Sequence, residues 1–268
     1  MSTLLLNPFI SFGGQAAVTG TGAAQVLVTA AASGQPPDPD FASVLALLNF
    51  ETSVLTNVAP SGFTFTSTLV ALTADGAGKF GKGVHQPSGA TGTHTFQGVN
   101  TDNWDFTTVD FTVEAWVYRE NAVSKALFSH WRNASTQQAW WMGIDASGHL
   151  RVDFNAPVST PLNIVDAGVM STAAWDHVVF ERAGSTFRLY KNGAMVGTKI
   201  TGNSSSLAAV TNAADDFLRI GILAGAAIHF FDDDFPNQRM DEIRVTRGVA
   251  RYNSDSGYTV PNQGFPVS

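Results

Sequence analysis

Eight consecutive residues, Phe111–Tyr118 (FTVEAWVY), alternate without a break, and that alternation limits this chain more than any other feature. Phe111, Val113, Ala115 and Val117 point one way, and Thr112, Glu114, Trp116 and Tyr118 the other. A period of two is what a pleated strand imposes on its side chains. A second constraint is Asn192-Gly193 inside Thr186–Val196 (TFRLYKNGAMV). Both central residues of a two-residue type I′ turn take positive φ, which Asn and Gly tolerate best. That turn sets Leu189 opposite Val196 and Tyr190 opposite Met195, so the ribbon is apolar on both faces and belongs inside two packed layers. Further strands are expected at Val44–Phe50, Phe63–Leu72, Ala126–Trp131, Trp140–Ile144, His149–Phe154, Trp175–Glu181, Phe217–Gly221 and Ile243–Val245, with an Asp145–Gly148 turn between the fourth and fifth. The only helical expectation is a short piece near Ala167–Ala174. These features predict an all-β fold.

Residues 1–40 read differently. Met1–Phe12 carries Leu4, Leu5, Leu6, Phe9, Ile10 and Phe12; Gly13–Gly34 is rich in Gly, Ala, Thr and Gln, with a strand-like Gln25–Thr29. Pro36-Pro37-Asp38-Pro39-Asp40 then forms a stiff extended spacer, since each proline restricts itself and its predecessor. We expect 1–40 to be an arm plus linker and 41–268 to be the folded domain. Six large apolar side chains left in water would be a liability. Burial against a neighbouring chain, by strand addition, is the expected role of the arm; the alternative is a leader without a role.

Composition excludes several classes. No cysteine is present, so disulfides and thiolate metal sites are absent. A net charge of −7, and basic residues that do not cluster with aromatics, argue against nucleic acid. No Lys or Arg precedes Lys79, so the apolar start lacks the basic leader of a secretory signal. Every apolar run is too short to span a membrane, and a soluble protein made in the cytoplasm, without membrane insertion, is expected.

The segment Met240–Tyr252 (MDEIRVTRGVARY), followed by Phe265-Pro266, resembles the closing strand of LamG-like, concanavalin A-like jelly-roll domains of the type found in tailed bacteriophage structural proteins. Leu47–Glu51 (LLNFE), Lys79–Gly83 (KFGKG), the Phe111–Val117 strand, Trp175–Glu181 (WDHVVFE), the Asn-Gly hairpin and Phe217–Gly221 (FLRIG) follow in family order, so the resemblance covers about Phe41 to the end. It implies a two-sheet antiparallel jelly-roll sandwich with the first and last strands adjacent. It also implies a virion structural protein, a capsid decoration or tail fibre module that assembles in the host cytoplasm with other virion proteins and with itself as a homo-oligomer. The alternatives are a lectin-like carbohydrate-binding module outside a virion and a glucanase-like hydrolase.

Relatives of this sandwich include glycoside hydrolases, which need two carboxylates about 5–9 Å apart. Glu114, Glu51 and Glu181 each stand alone on their strands, and no nucleophile motif occurs, so no catalytic residues and no enzyme are expected. The six histidines are scattered singly. No cofactor is required, although the resemblance admits calcium at Asp241, with Glu51 approaching if first and last strands pair. The alternative for Asp241 is a hydrogen-bonding role at the start of its strand. For cell-surface glycans the candidate surface is Trp140 or Trp141 with His149 and Arg151 across the turn, against plain core packing of both tryptophans.

Overall fold

The computed structural model describes residues 36–52, 55–68, 73–86, 95–120, 123–131, 138–155, 162–202, 207–210, 216–223, 228–231 and 237–268. The arm residues Leu4, Leu5, Leu6, Phe9 and Phe12, the strand-like Gln25–Thr29, and the acidic run Asp232–Asp234 lie outside them.

In chain order the strands are β1 (Val44–Leu48), β2 (Phe65–Thr68), β3 (Thr73–Asp75), β4 (Gly83–His85), β5 (Thr95–Gly98), β6 (Phe111–Tyr118), β7 (Lys125–Trp131), β8 (Gln138–Ile144) and β9 (His149–Phe154). They continue with β10 (Leu162–Val169), β11 (Trp175–Ala183), β12 (Thr186–Lys191), β13 (Ala194–Thr201), β14 (Arg219–Ile220), β15 (Ile222–Leu223), β16 (Ile228–His229) and β17 (Arg239–Arg247). One sheet runs β13-β12-β11-β6-β17-β4-β3, with β1 also on β17; the other runs β10-β9-β8-β7-β14-β5-β2; β15 and β16 form a separate ribbon. All pairings among the described residues are antiparallel. The first and last strands are neighbours, Leu48 opposite Ile243. This is the expected two-sheet sandwich.

The period of two in β6 becomes packing. Phe111, Val113, Ala115 and Val117 face the second sheet's Trp140, Met142, Leu150, Val152 and Phe154 in one core. Phe111 stacks on Phe106 with ring centroids 4.4 Å apart, and Phe106 on Trp140 at 5.8 Å. The hairpin register is the expected one: Leu189 opposes Val196 and Tyr190 opposes Met195, with Asn192 and Gly193 at φ 49° and 82°. The helix expected near Ala167–Ala174 is absent. Leu162–Val169 is the edge strand β10, pairing with β9 through Ile164 opposite Val152. Alanine's helical preference is a weak prior that backbone pairing along a sheet edge overrides.

The outward face of β6 is buried as well: Thr112 and Glu114 are fully covered and Trp116 nearly so. The cover is the irregular chain after β17. Tyr252 donates its hydroxyl to Glu114 Oε2 at 2.5 Å, and Tyr258 stacks on Tyr252 while its hydroxyl meets His177 Nδ1 at 2.6 Å. Phe265 lies against the Arg244 guanidinium, 3.7 Å from the ring centroid. The tail anchors on the hairpin turn, where Tyr258 N–H donates to Gly193 O at 2.8 Å. A Cβ on Gly193 would stand 2.5 Å from the Tyr258 carbonyl oxygen. Gly193→Val therefore combines strain at positive φ with displacement of the tail, and should cost about 2 kcal/mol in chemical denaturation. Unchanged stability would refute the docking.

Asp38, in the proline segment, belongs to the same assembly. Its carboxylate accepts a hydrogen bond from Arg251 Nη1 at 2.9 Å, has Arg251 Nη2 beside it at 2.9 Å as an ion pair, and lies 3.3 Å from Arg244 Nη1. Arg244 Nε in turn donates to Glu114 Oε1 at 2.8 Å. Burial opposes the charge on Asp38, but the Arg251 hydrogen bond, the Asp40 N–H and the two guanidinium charges hold its carboxyl below the ordinary value. A folded value below the unfolded one gives stability that is complete above pH ~4 and lost as pH falls further. Asp38→Ala should cost about 3 kcal/mol at pH 7, since it strips a buried partner from two arginines, and the difference from wild type should shrink below pH 4.

Candidate functional site

Across the first sheet, successive rows of outward side chains run from β17 through β6 to β11. Thr246, Thr112 and Glu181 form one row, Arg244, Glu114 and Val179 the next, then Asp241, Trp116 and His177, and finally Arg239, Tyr118 and Trp175. The tail covers the first rows, and Phe80, with Lys79 Nζ 4.2 Å from the indole centroid, closes over Trp116. The last row stays partly exposed. There Tyr118, Trp175, Glu120, Asn237, Arg239 and Ala77 line a cavity of ≈ 290 Å³. The Tyr118 and Trp175 rings are 5.7 Å apart at 56°. Glu120 Oε1 accepts from Asn237 Nδ2 at 2.5 Å, and Arg239 Nη1 donates to Asp75 Oδ1 at 2.5 Å. Two tilted rings edged by a carboxylate, an amide and a guanidinium can take a ligand with apolar C–H faces and many hydroxyls.

Sequence alone missed this cavity. Tyr118 ends one strand, Trp175 opens another and Arg239 opens a third, and only the sheet order makes them a row. The available signal was an aromatic at each of two strand ends.

The expected glycan surface divides. Trp140 is fully buried in the core, stacked on Phe106, and this corrects its place in the site: it has no face to offer. Trp141 points to the opposite side of the second sheet, where it is 8% exposed and packs with Ala126, Leu223, Trp131 and Ile228. Arg151 makes a bidentate pair with Asp153, Nε to Oδ2 at 2.8 Å and Nη2 to Oδ1 at 2.7 Å. His149 Nδ1 lies 3.6 Å from Asp145 Oδ2 in the turn. Trp141 and Arg151 share this outer face.

Glu114 and Glu181, expected to be isolated, lie on one face of adjacent strands, a relation that a linear sequence hides. Neither is available for chemistry. Glu114 is fully buried between Arg244, His177 and Tyr252; burial opposes its charge, but Arg244 and His177 hold the carboxyl well below the usual range. Glu181 accepts the N–H groups of Tyr252 and Asn253 at 2.8 and 2.7 Å and the Tyr190 hydroxyl at 3.2 Å.

The carboxylates of Asp241 and Glu51 come within electrostatic reach of one another. Asp241 Oδ1 accepts from Glu242 N at 2.8 Å and Oδ2 from Phe80 N at 2.9 Å, the hydrogen-bonding role at the head of the strand. Glu51 Oε1 accepts from Lys82 N at 2.8 Å. Burial pushes the Asp241 carboxyl up to about 7, against three main-chain N–H groups and with the Glu51 charge adding to the rise. Burial pushes Glu242 up to about 8, the Phe265 N–H opposing and Asp241 adding. Asp241, Glu242 and Glu51 are oxygen donors of the kind a hard cation takes, but both Asp241 oxygens accept main-chain N–H groups and the three carboxylates do not converge on one point. Carboxyls raised in the fold stabilise it when protonated, so stability falls as pH rises from about 4 to 8. With chelator present, the melting temperature should therefore drop over that range. Calcium should restore it at pH 8 more than at pH 5, and Asp241→Asn should remove the response. A melting temperature indifferent to chelator would dispose of a calcium role.

A family model described as the concanavalin A-like lectin/glucanases superfamily matches residues 92–249, more than half of the chain. Among solved structures the fold is similar to domain 4 of AbnA, a GH43 extracellular arabinanase from Geobacillus stearothermophilus in complex with arabinotriose. That match has 15% identity and a TM-score of 0.56, covering 78% of this chain and 94% of that one. It is also similar to the botulinum neurotoxin serotype D binding domain, with 12% identity and a TM-score of 0.56 over 81% of this chain and 51% of that one. Botulinum neurotoxin type C, whose cell entry depends on two ganglioside molecules, matches at 12% identity and a TM-score of 0.53 over 77% and 48%. The chain thus spans about half of those toxin chains. No curated protein sequence matches it.

Proposed function

This chain belongs to the concanavalin A-like lectin/glucanases superfamily, and we propose that it is a non-catalytic module that binds carbohydrate in the cavity between Tyr118 and Trp175. The observation that carries this is the partly exposed last row of the first sheet: two aromatic rings beside Glu120, Asn237 and Arg239. The volume, at the lower end of ligand pockets, suits one or two sugar units. Glu120 is the one carboxylate among the lining residues, which favours binding over hydrolysis. That an arabinanase domain and toxin binding domains share the fold is consistent with a binding role.

Trp175→Ala and Tyr118→Ala should each weaken oligosaccharide binding, measured on a glycan array and by calorimetry, about tenfold or more, or ~1.4 kcal/mol. Trp141→Ala should leave it unchanged. Loss of binding in Trp141→Ala alone would move the site to the Trp141, His149 and Arg151 face. Glu120→Gln should release no reducing ends on long incubation, nor should wild type; release by wild type would overturn the non-catalytic role.

A virion setting, with self-association and other virion proteins as partners, is the finer proposal, and the closing segment Met240–Tyr252 supports it by resemblance. Because Asp38 is tied to Arg244 and Arg251, the informative truncation removes residues 1–35. It should leave a folded protein that no longer assembles into an oligomer or onto a particle. Normal assembly by the truncated chain would exclude an attachment role for the arm.

A further inference from the structure

On the middle strand of the second sheet, outside the cavity lining, one imidazole faces two carboxylates. His130, on β7, has Nε2 2.9 Å from Asp105 Oδ1 and 3.1 Å from Asp216 Oδ1. Its Nδ1 is 3.2 Å from the carbonyl oxygen of Phe217, which can only accept, so Nδ1 is the donor of that pair. Nε2 faces two carboxylate oxygens, and a positive charge at that point, whether a proton on Nε2 or a metal ion in its place, satisfies all three atoms. Asp216 is 1% exposed, and its Oδ1 has no hydrogen-bond partner. Asp102 adds a further carboxylate in hydrogen-bonding contact with Asp216. Two carboxylates in such contact share either a proton or a cation.

We propose that Asp105, His130 and Asp216 form a binding site for a divalent transition-metal ion of the zinc type. The three donor atoms lie within 4.8 Å of one another, and among the described residues this is the one such trio. A tetrahedral zinc with bonds of about 2.0–2.1 Å holds its donors about 3.4 Å apart, a few tenths of an ångström beyond the two spacings from His130 to the carboxylates. A ligating histidine ordinarily gives its other N–H to a carbonyl or carboxylate, as Nδ1 does toward Phe217. One imidazole with carboxylates suits zinc, cobalt or manganese better than calcium, which takes oxygen ligands. The Asp105 side chain is 14% exposed, which leaves an approach for the ion and for water as a further ligand. A bound ion would staple three separate stretches: the turn Asp102–Trp104, the strand β7 and the chain entering β14.

The test uses the full chain, stripped with chelator and titrated with zinc by calorimetry and with cobalt by visible absorption. One equivalent should bind, the cobalt complex should show ligand-field bands of a mixed nitrogen and oxygen site, and zinc at a hundredfold excess over Kd should raise the melting temperature by roughly 5–10 °C. His130→Gln and Asp216→Asn should each lose the bound equivalent, while Asp241→Asn keeps it. If His130→Gln does not fold, Asp216→Asn decides alone. Absence of binding, or binding undiminished in Asp216→Asn, would overturn the proposal.

Discussion

The contact between Glu114 and Arg244 governs how this molecule is closed. Both charges sit on the outward side of the first sheet, where water would ordinarily solvate them, and both are almost fully covered. Removing a charge from water costs several kcal/mol, and attraction offsets this only where the remaining donors and acceptors are also satisfied. Here they are: Tyr252, His177, Asp38 and the Phe265 ring each take a side of the pair. The residues that satisfy it come from both extremes of the described chain. The network consequently works as a fastener, since a tail docked in another register would leave a buried charge without its partner.

This explains how far the sequence could be read. Strand positions and the Asn192-Gly193 register followed from local rules, because period and turn chemistry act over a few residues. The polarity of β6 was legible as two faces, but its polar face is buried too, and no local rule says that a distant tail will cover Glu114. Asp38 has the same history. In PPDPD it reads as a spacer residue, and its importance comes from Arg251, over two hundred positions away. The tyrosine and tryptophan of the cavity are neighbours only through the β11-β6-β17 order. Trp140 and Trp141 had to part, being adjacent on a strand, but which of them faces the core is decided by Phe106 and Phe111.

The two sheets are covered differently, and function follows the cover. On the first, the tail and the Phe80 loop stop one row short of the strand ends, so an aromatic row stays accessible beside hydrogen-bonding groups. On the second, the small β15–β16 ribbon packs beside Trp141 and leaves it a narrow exposed edge. Among the described residues, the accessible row that combines rings with hydrogen-bonding groups thus lies at a rim. Rims tolerate change at loop tips while the strands beneath hold their side chains in place.

Asp38 N–H donates to Ser268 O at 2.8 Å, so the first and last stretches of the described chain lie side by side. The stretch from Asp38 to Ser268, with its two ends side by side, has the geometry of a plug: it could be set into a surface loop of a host protein without prying that loop apart, or joined end to end and reopened elsewhere. The Asp145–Gly148 turn, away from the Glu114 fastener, is a natural place to reopen it.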